Sequence, residues 1–258
     1  MIGRGGIHSR RTRALTLAGG LAGLCAGACA NPSASLVILQ NQVPEVDTVT
    51  GACFGPVDLT AGNLGSGVFD VALDRARPYL LYPLIQSRLP SVVSGGVERN
   101  GLSLRHVHVQ IKAPPGIDPA WEAGCPGTFD WPEAASLDPT QLRTVVVPGF
   151  QSCHAQRLHD LIEQRVIPAD LSQPVFFTLE LTVVADRSGG NVSSDPFPFG
   201  VQVCAGCLQS MFPATPLCAA APKPNPLRGN PCNFAQDGPD VLCCFDDKML
   251  LICPAPDM

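Results

Sequence analysis

Charge is scarce in this sequence. Only 15% of its 258 residues are Asp, Glu, Lys or Arg, and Lys occurs three times against fourteen Arg. Aromatic residues are also few, at 6%, with two Trp and two Tyr. No apolar run reaches the roughly 20 residues that a membrane-spanning helix needs. Nucleotide and hydrolase signatures are missing too: residues 62–67 (Gly-Asn-Leu-Gly-Ser-Gly) fit neither a phosphate-binding loop nor a dinucleotide fingerprint, and no Gly-x-Ser-x-Gly elbow occurs. What is plentiful is apolar surface, at 45% of residues, together with 26 Pro and 25 Gly. An apolar, weakly charged chain has the material for a core, which excludes wholesale disorder. Its dense Pro and Gly punctuation suits short strands and loops rather than a helical bundle.

The first 30 residues carry a targeting pattern. Arg4, Arg10, Arg11 and Arg13 precede an uncharged apolar run at 14–28, too short to span a bilayer and right for a cleavable signal peptide over 1–29. Ala26-Gly27-Ala28-Cys29 resembles the bacterial lipobox, which implies lipidation of Cys29 and membrane attachment through the N-terminal lipid. Ala30 after that Cys implies transfer to the outer membrane, on its periplasmic side or at the cell surface. Ala28-Cys29-Ala30 also fits ordinary signal peptidase, which would release a soluble protein starting at Asn31. Ser9-Arg10-Arg11 is a partial twin-arginine motif. Beyond residue 29 the chain holds 13 basic and 22 acidic residues, a formal charge of −9. No basic stripe remains, so nucleic acid is not an expected partner.

Ten cysteines follow the signal region: Cys53, Cys125, Cys153, Cys204, Cys207, Cys218, Cys232, Cys243, Cys244 and Cys253. An even count in an exported chain reads as a disulfide framework, whose connectivity spacing alone does not give. Cys204-Ala205-Gly206-Cys207 has the spacing of a redox pair, but it follows a strand rather than opening a helix. A zinc site from Cys204, Cys207, Cys218 and Cys232 has a passable ligand count, yet an oxidising compartment favours disulfides. Neither a metal nor a cofactor is expected.

The pattern predicts a mainly β protein: an antiparallel β-sandwich body over 30–204 with one inserted helix, then a small Cys/Pro-rich, disulfide-stapled segment over 205–258. Strands are expected at 35–41, 67–73, 79–89 (broken by Pro83), 102–112, 142–147, 175–185 and 199–204. Asn100-Gly101 signals a hairpin turn. In 102–112, alternation places Val107, Val109 and Ile111 on one face and His106, His108, Gln110 and Lys112 on the other. Residues 113–141, with six prolines and both Trp, read as one long loop. Residues 152–166 read as the helix, capped by Ser152, with Ala155, Leu158, Ile162 and Val166 on one face.

Several stretches resemble uncharacterised Cys-rich exported proteins of myxobacterium-like bacteria. They are 36–44 (Leu-Val-Ile-Leu-Gln-Asn-Gln-Val-Pro), 67–73 (Gly-Val-Phe-Asp-Val-Ala-Leu), 79–84 (Tyr-Leu-Leu-Tyr-Pro-Leu), 197–208 around the Cys204/Cys207 pair, and the tail from Asn230 to Pro254. The resemblance implies export and a Cys-rich architecture, and it brings no activity.

Candidate functional residues are therefore thin. Trp121, Phe129 and Trp131 sit in the 117–133 stretch, where exposed aromatics serve as binding anchors and tucked ones as a satellite of the core. His106 and His108 stand two apart on a strand face, a spacing that allows two ligands to one metal. His154 and His159 are five apart on the helix and do not share a face. Glu122, Asp130 and Glu133 are near the Trp residues, and Asn233 to Cys244 only partly matches a calcium loop, with Ala235 and Cys244 at ligand positions. The leading expectation is a non-enzymatic cell-envelope lipoprotein, a structural or interaction module with an envelope protein partner. The alternative is an exported sugar-, small-ligand- or metal-binding protein using the 117–133 loop or the His106/His108 pair.

Overall fold

The computed structural model describes residues 35–94, 96–98, 100–168, 174–211, 217–221 and 228–255. The signal region and Cys29 lie outside them. These described residues belong to one compact unit.

The fold is mainly β, with one α-helix among the described residues. Its principal strands, in chain order, are β1 (Leu36–Gln42), β2 (Ser66–Asp70), β3 (Tyr79–Leu81), β4 (Pro83–Ser87), β5 (Leu102–Lys112), β6 (Thr128–Pro132), β7 (Leu142–Thr144) and β8 (Val147–Phe150). Helix α1 (Ser152–Glu163) follows, then β9 (Val175–Arg187), β10 (Gly190–Ser193), β11 (Phe197–Cys204), β12 (Gln209–Met211), β13 (Val241–Phe245) and β14 (Leu251–Ile252). The largest sheet runs β6-β5-β9-β11-β2, with β10 added beside β9. A second sheet runs β7-β4-β1, and β3 pairs with β8 as a separate ribbon.

Alternation decides what the large sheet buries. Val107 and Val109 of β5, Phe177, Leu179, Leu181 and Val183 of β9, and Phe199 and Val201 of β11 are all buried, while their strand neighbours face outward. They share one core with Leu36 and Ile38 of β1, Leu81, Ile85, Val147 and Phe150, and with Ala155, Leu158 and Leu161 of α1. Phe69, Tyr79, Phe150 and Phe177 form a chain of ring contacts through its centre, with centroids 5.5–6.3 Å apart.

Several expectations are corrected. The sheet is not wholly antiparallel: β2 runs parallel to β11, with Val203 opposite Phe69 and Cys204 opposite Asp70. These strands are far apart in the chain, so no hairpin imposes an antiparallel return. Nor is this a clean sandwich, because the 79–89 stretch serves two sheets. At Tyr82 the chain changes partner, and buried Asn41 accepts the Tyr82 N–H at 2.6 Å, where Pro83 has no N–H to give. Asn100-Gly101 closes no hairpin onto β5; the short strand before it (Val97–Glu98) pairs back with Val93–Ser94, and Leu102 lies opposite Arg187. The 113–141 stretch is not one loop, since β6 and the short strand Ser136–Leu137 both pair with β5. Helix α1 ends at Glu163. Arg165 takes a φ of 59°, which turns the chain so that Ile167 enters the core and Val166 is exposed.

The cysteines are not a strictly C-terminal cluster either. The bonds are Cys53–Cys232, Cys125–Cys153, Cys204–Cys207, Cys218–Cys244 and Cys243–Cys253. One of them, Cys53–Cys232, ties the tail to the first third of the chain. Polar contacts do the same. Asp237 accepts from the Tyr79 hydroxyl at 2.6 Å and the Val68 N–H at 2.7 Å. The Gln236 side-chain amide accepts from Leu80 N–H and donates to Leu80 C=O, as a neighbouring strand would, and Asn233 donates to Pro78 C=O. Gly67 lies under the Tyr79 hydroxyl, where any Cβ would collide with it. The Asn233–Cys244 stretch thus spends its polar side chains on docking rather than on a cation.

Candidate functional site

Strand β6 is the edge of the large sheet, and its register on β5 settles the fate of the aromatic residues. Trp131 lies opposite Val107, Asp130 opposite His108 and Phe129 opposite Val109. Phe129 and Trp131 therefore point to the core side, and Asp130 points out with the histidines.

The two Trp residues part company. Trp121 packs edge-on against the His154 ring, with centroids 4.8 Å apart, and Phe129 stacks on the same ring at 5.6 Å. Both are half-buried against the core. Gly127 makes room for this, since a Cβ there would strike the Trp121 indole. Trp131 stays 37% exposed. It forms one wall of an open cleft of about 430 Å³, completed by Pro78, Leu80, Val146, Pro148 and the start of α1 at Gln151, Ser152 and Cys153. The walls are apolar, and the polar atoms gather at the helix end. A smaller hollow of about 200 Å³ lies on the other side of Cys153, between Trp121, Cys125, Arg157 and Asp160. The Cys125–Cys153 bond lines this second hollow and, through Cys153, the cleft as well.

His154 is fully buried, and its protonation follows from its partners. Nδ1 accepts the Gln151 N–H at 3.0 Å, so the proton sits on Nε2, which donates to the Pro126 carbonyl at 3.1 Å. Burial lowers its pKa, in keeping with a neutral ring. The residue joins the start of α1 to the loop before β6. It also closes the helix N-terminus, a task the sequence assigns to Ser152.

Among the described residues, three groups of ligand-type atoms lie within 4.8 Å of one another: Cys125, Cys153 and His154; Asp70, Cys204 and Cys207; and His159, Asp160 and Glu163. In the first two the sulfurs are bonded to each other, so neither offers a thiolate to a metal. In the third, Glu163 is shared between His159 at 3.6 Å and Arg75 at 3.4 Å. The sequence-predicted pair fares differently. One carboxylate oxygen of Asp130 lies 2.7 Å from His108 Nδ1 and 3.8 Å from His106 Nε2, on the half-exposed outer face of the sheet. Lys112 on the same face pairs with Glu180 of β9.

The structure thus joins Trp131 to residues the sequence gives no reason to single out. Pro78, Leu80, Val146 and Pro148 are scattered apolar residues without a motif. Asp130 carried a signal, because strand alternation places it between two aromatics, but its partner strand was not legible. Glu122 lines the small hollow, apart from Asp130. Among the described residues no helix is long and apolar enough to cross a membrane. No family model matches the chain, and no curated protein matches it.

Proposed function

We propose that the protein is an exported ligand-binding module whose site is the Trp131 cleft. One observation supports this above the others: a large aromatic side chain stands open to solvent as the wall of an apolar concavity, while its neighbours Trp121 and Phe129 are spent on packing. Small-ligand sites combine apolar walls with a few convergent polar groups, which is the arrangement around Gln151 and Ser152. The walls favour a flat apolar or aromatic ring with one polar end directed at the first turn of α1. A sugar would need more polar partners than these. The cleft binds its occupant without converting it.

Titration with small aromatic carboxylates, followed by Trp fluorescence, tests the site. Saturable quenching is expected in the parent protein. Trp131→Ala should lower affinity at least tenfold, and a variant that binds as the parent does overturns the assignment.

A second site on the outer face is supported by the position of Asp130 between His106 and His108. Two imidazoles and a carboxylate are a donor set suited to zinc or a similar divalent ion. The body is proposed to be held at the outer membrane through lipid on Cys29, next to an envelope protein partner. In that setting a binding module would act on molecules passing the membrane surface.

A further inference from the structure

The Cys204–Cys207 bond differs from the other four disulfides in what holds it and what lies beside it. It closes the shortest loop, three residues, against separations of 10 to 179 for the rest. In the loop-closure account, a disulfide supports the fold in proportion to the logarithm of the loop it closes, so this one supports it least. The segment is held by other means. Cys204 ends β11 in parallel register with Asp70 of β2, and its carbonyl accepts the Val71 N–H at 3.0 Å. The Asp70 carboxylate then accepts from the Gly206 N–H at 2.8 Å, the Leu208 N–H at 2.9 Å and the Ala72 N–H at 3.0 Å. The fold can therefore keep this turn in place with the sulfurs unbonded.

Asp70 is fully buried, and one of its carboxylate oxygens lies within 4.8 Å of both sulfurs. Desolvation raises its pKa while the backbone N–H groups oppose that. The two sulfurs are not equivalent. Cys204 is buried at 4% exposure and Cys207 is half-buried, so an incoming thiolate meets Cys207 first.

We propose that Cys204, Cys207 and Asp70 form a thiol–disulfide exchange centre that accepts two electrons from a dithiol substrate. The substrate thiolate attacks Cys207 Sγ, the Cys204–Cys207 bond breaks, and its electron pair goes to Cys204 Sγ, which takes the proton of the Asp70 carboxyl. The second substrate thiol gives its proton back to Asp70 and attacks its own sulfur in the mixed disulfide. Cys207 leaves as a thiolate and is protonated from solvent. The substrate becomes a disulfide, and the chain holds two thiols. Thiolate attack and leaving-group stabilisation set the rate of such exchange, and a carboxyl acid beside the buried leaving sulfur supplies the second. This centre is separate from the Trp131 cleft and stands whether or not the cleft binds.

The oxidised full chain is exposed to limiting dithiothreitol, quenched with an alkylating reagent at intervals and mapped by peptide mass spectrometry. Cys204 and Cys207 should be labelled at least tenfold faster than any other pair, with circular dichroism unchanged and one oxidised dithiothreitol formed per chain. Opening of several pairs together, or only with loss of structure, overturns the proposal. Asp70→Asn, checked for native circular dichroism, should slow opening at least fivefold. In the parent protein, the rate divided by thiolate concentration should fall as rising pH removes the Asp70 proton, a readout that needs no variant. A folded Asp70→Asn chain with the parent rate, or a flat normalised profile, also overturns it.

Discussion

Trp121 and Trp131 are ten positions apart and on the same side of the sheet, yet they meet different surroundings. Trp121 lies against His154 with Gly127 beneath it, so truncation to Ala should cost about 2–4 kcal/mol, as for other packed aromatics. Trp131 is more exposed and its truncation should cost less than about 1 kcal/mol. Chemical denaturation of the two variants measures the contrast, and equal losses would place both rings in the core. Asp237 offers a second test at this scale. Desolvation raises its pKa to about 6, partly opposed by the bonds from Tyr79 and Val68. The folded protein therefore holds this proton more tightly than the unfolded chain between about pH 4 and 6. Stability from this group is fully present below pH 4 and is lost as pH rises through 6, by at most about 3 kcal/mol. His154 works the other way: its lowered pKa gives stability that is present above pH 6.5 and lost as pH falls toward the folded value. Denaturant midpoints from pH 3.5 to 7.5 should show the Asp237 decline in the parent and not in Asp237→Asn.

At the scale of elements, the site depends on an edge strand and a helix start held in register. β6 pairs with β5 on one side only, and the loop before it is tied down by Cys125–Cys153, by His154 Nε2 on Pro126 and by Arg157 Nε on the Pro119 carbonyl at 2.8 Å. Replacing both Cys125 and Cys153 by Ser should cost roughly 3–4 kcal/mol from a loop of this length. It should also weaken binding in the cleft, because Cys153 is part of its wall. Calorimetry with ligand titration on the same variant checks both effects. β5 was readable from His106 to Lys112, where a period of two leaves no other assignment for Val107, Val109 and Ile111; the register shift between Leu104 and His106 was not. The Asn100-Gly101 hairpin was not, because a turn signal says that the chain can reverse and not which strand it finds afterwards.

For the whole molecule, the tail from Asn230 is as much a part of the fold as the strands. Ala235 enters the main core, Asp237 and Gln236 replace missing strand partners, and Cys53–Cys232 closes a loop of 179 residues. A segment with so little apolar surface gains order by joining an existing core, and its own cluster stays small: Cys218, Ala221, Leu242, Cys244 and Ala255. The proposed attachment to the envelope is tested at this scale. Cys29→Ser should move the protein from the membrane to the soluble fraction on ultracentrifugation, whereas unchanged fractionation would remove the lipid anchor from the account.

Composition and local period determined the mainly β class, the inward face of β5, the existence of α1 and the use of cysteines in pairs. Each of these follows from the chain's own neighbourhood: side-chain alternation, a helical repeat, an even count of cysteines beyond residue 29. Tertiary structure decided the rest. Which cysteine meets which, that β2 lies parallel to β11, that Asp70 comes beside Cys204 and that Trp131 faces Pro78 and Val146 all join residues distant in sequence. Such pairings are set by which apolar faces can be buried together, a property of the assembled surfaces that no window of sequence contains. Trp121 and Trp131 mark the boundary. Their chemistry is the same on paper, and only the position of His154 and the edge of the sheet made one a packing residue and left the other open.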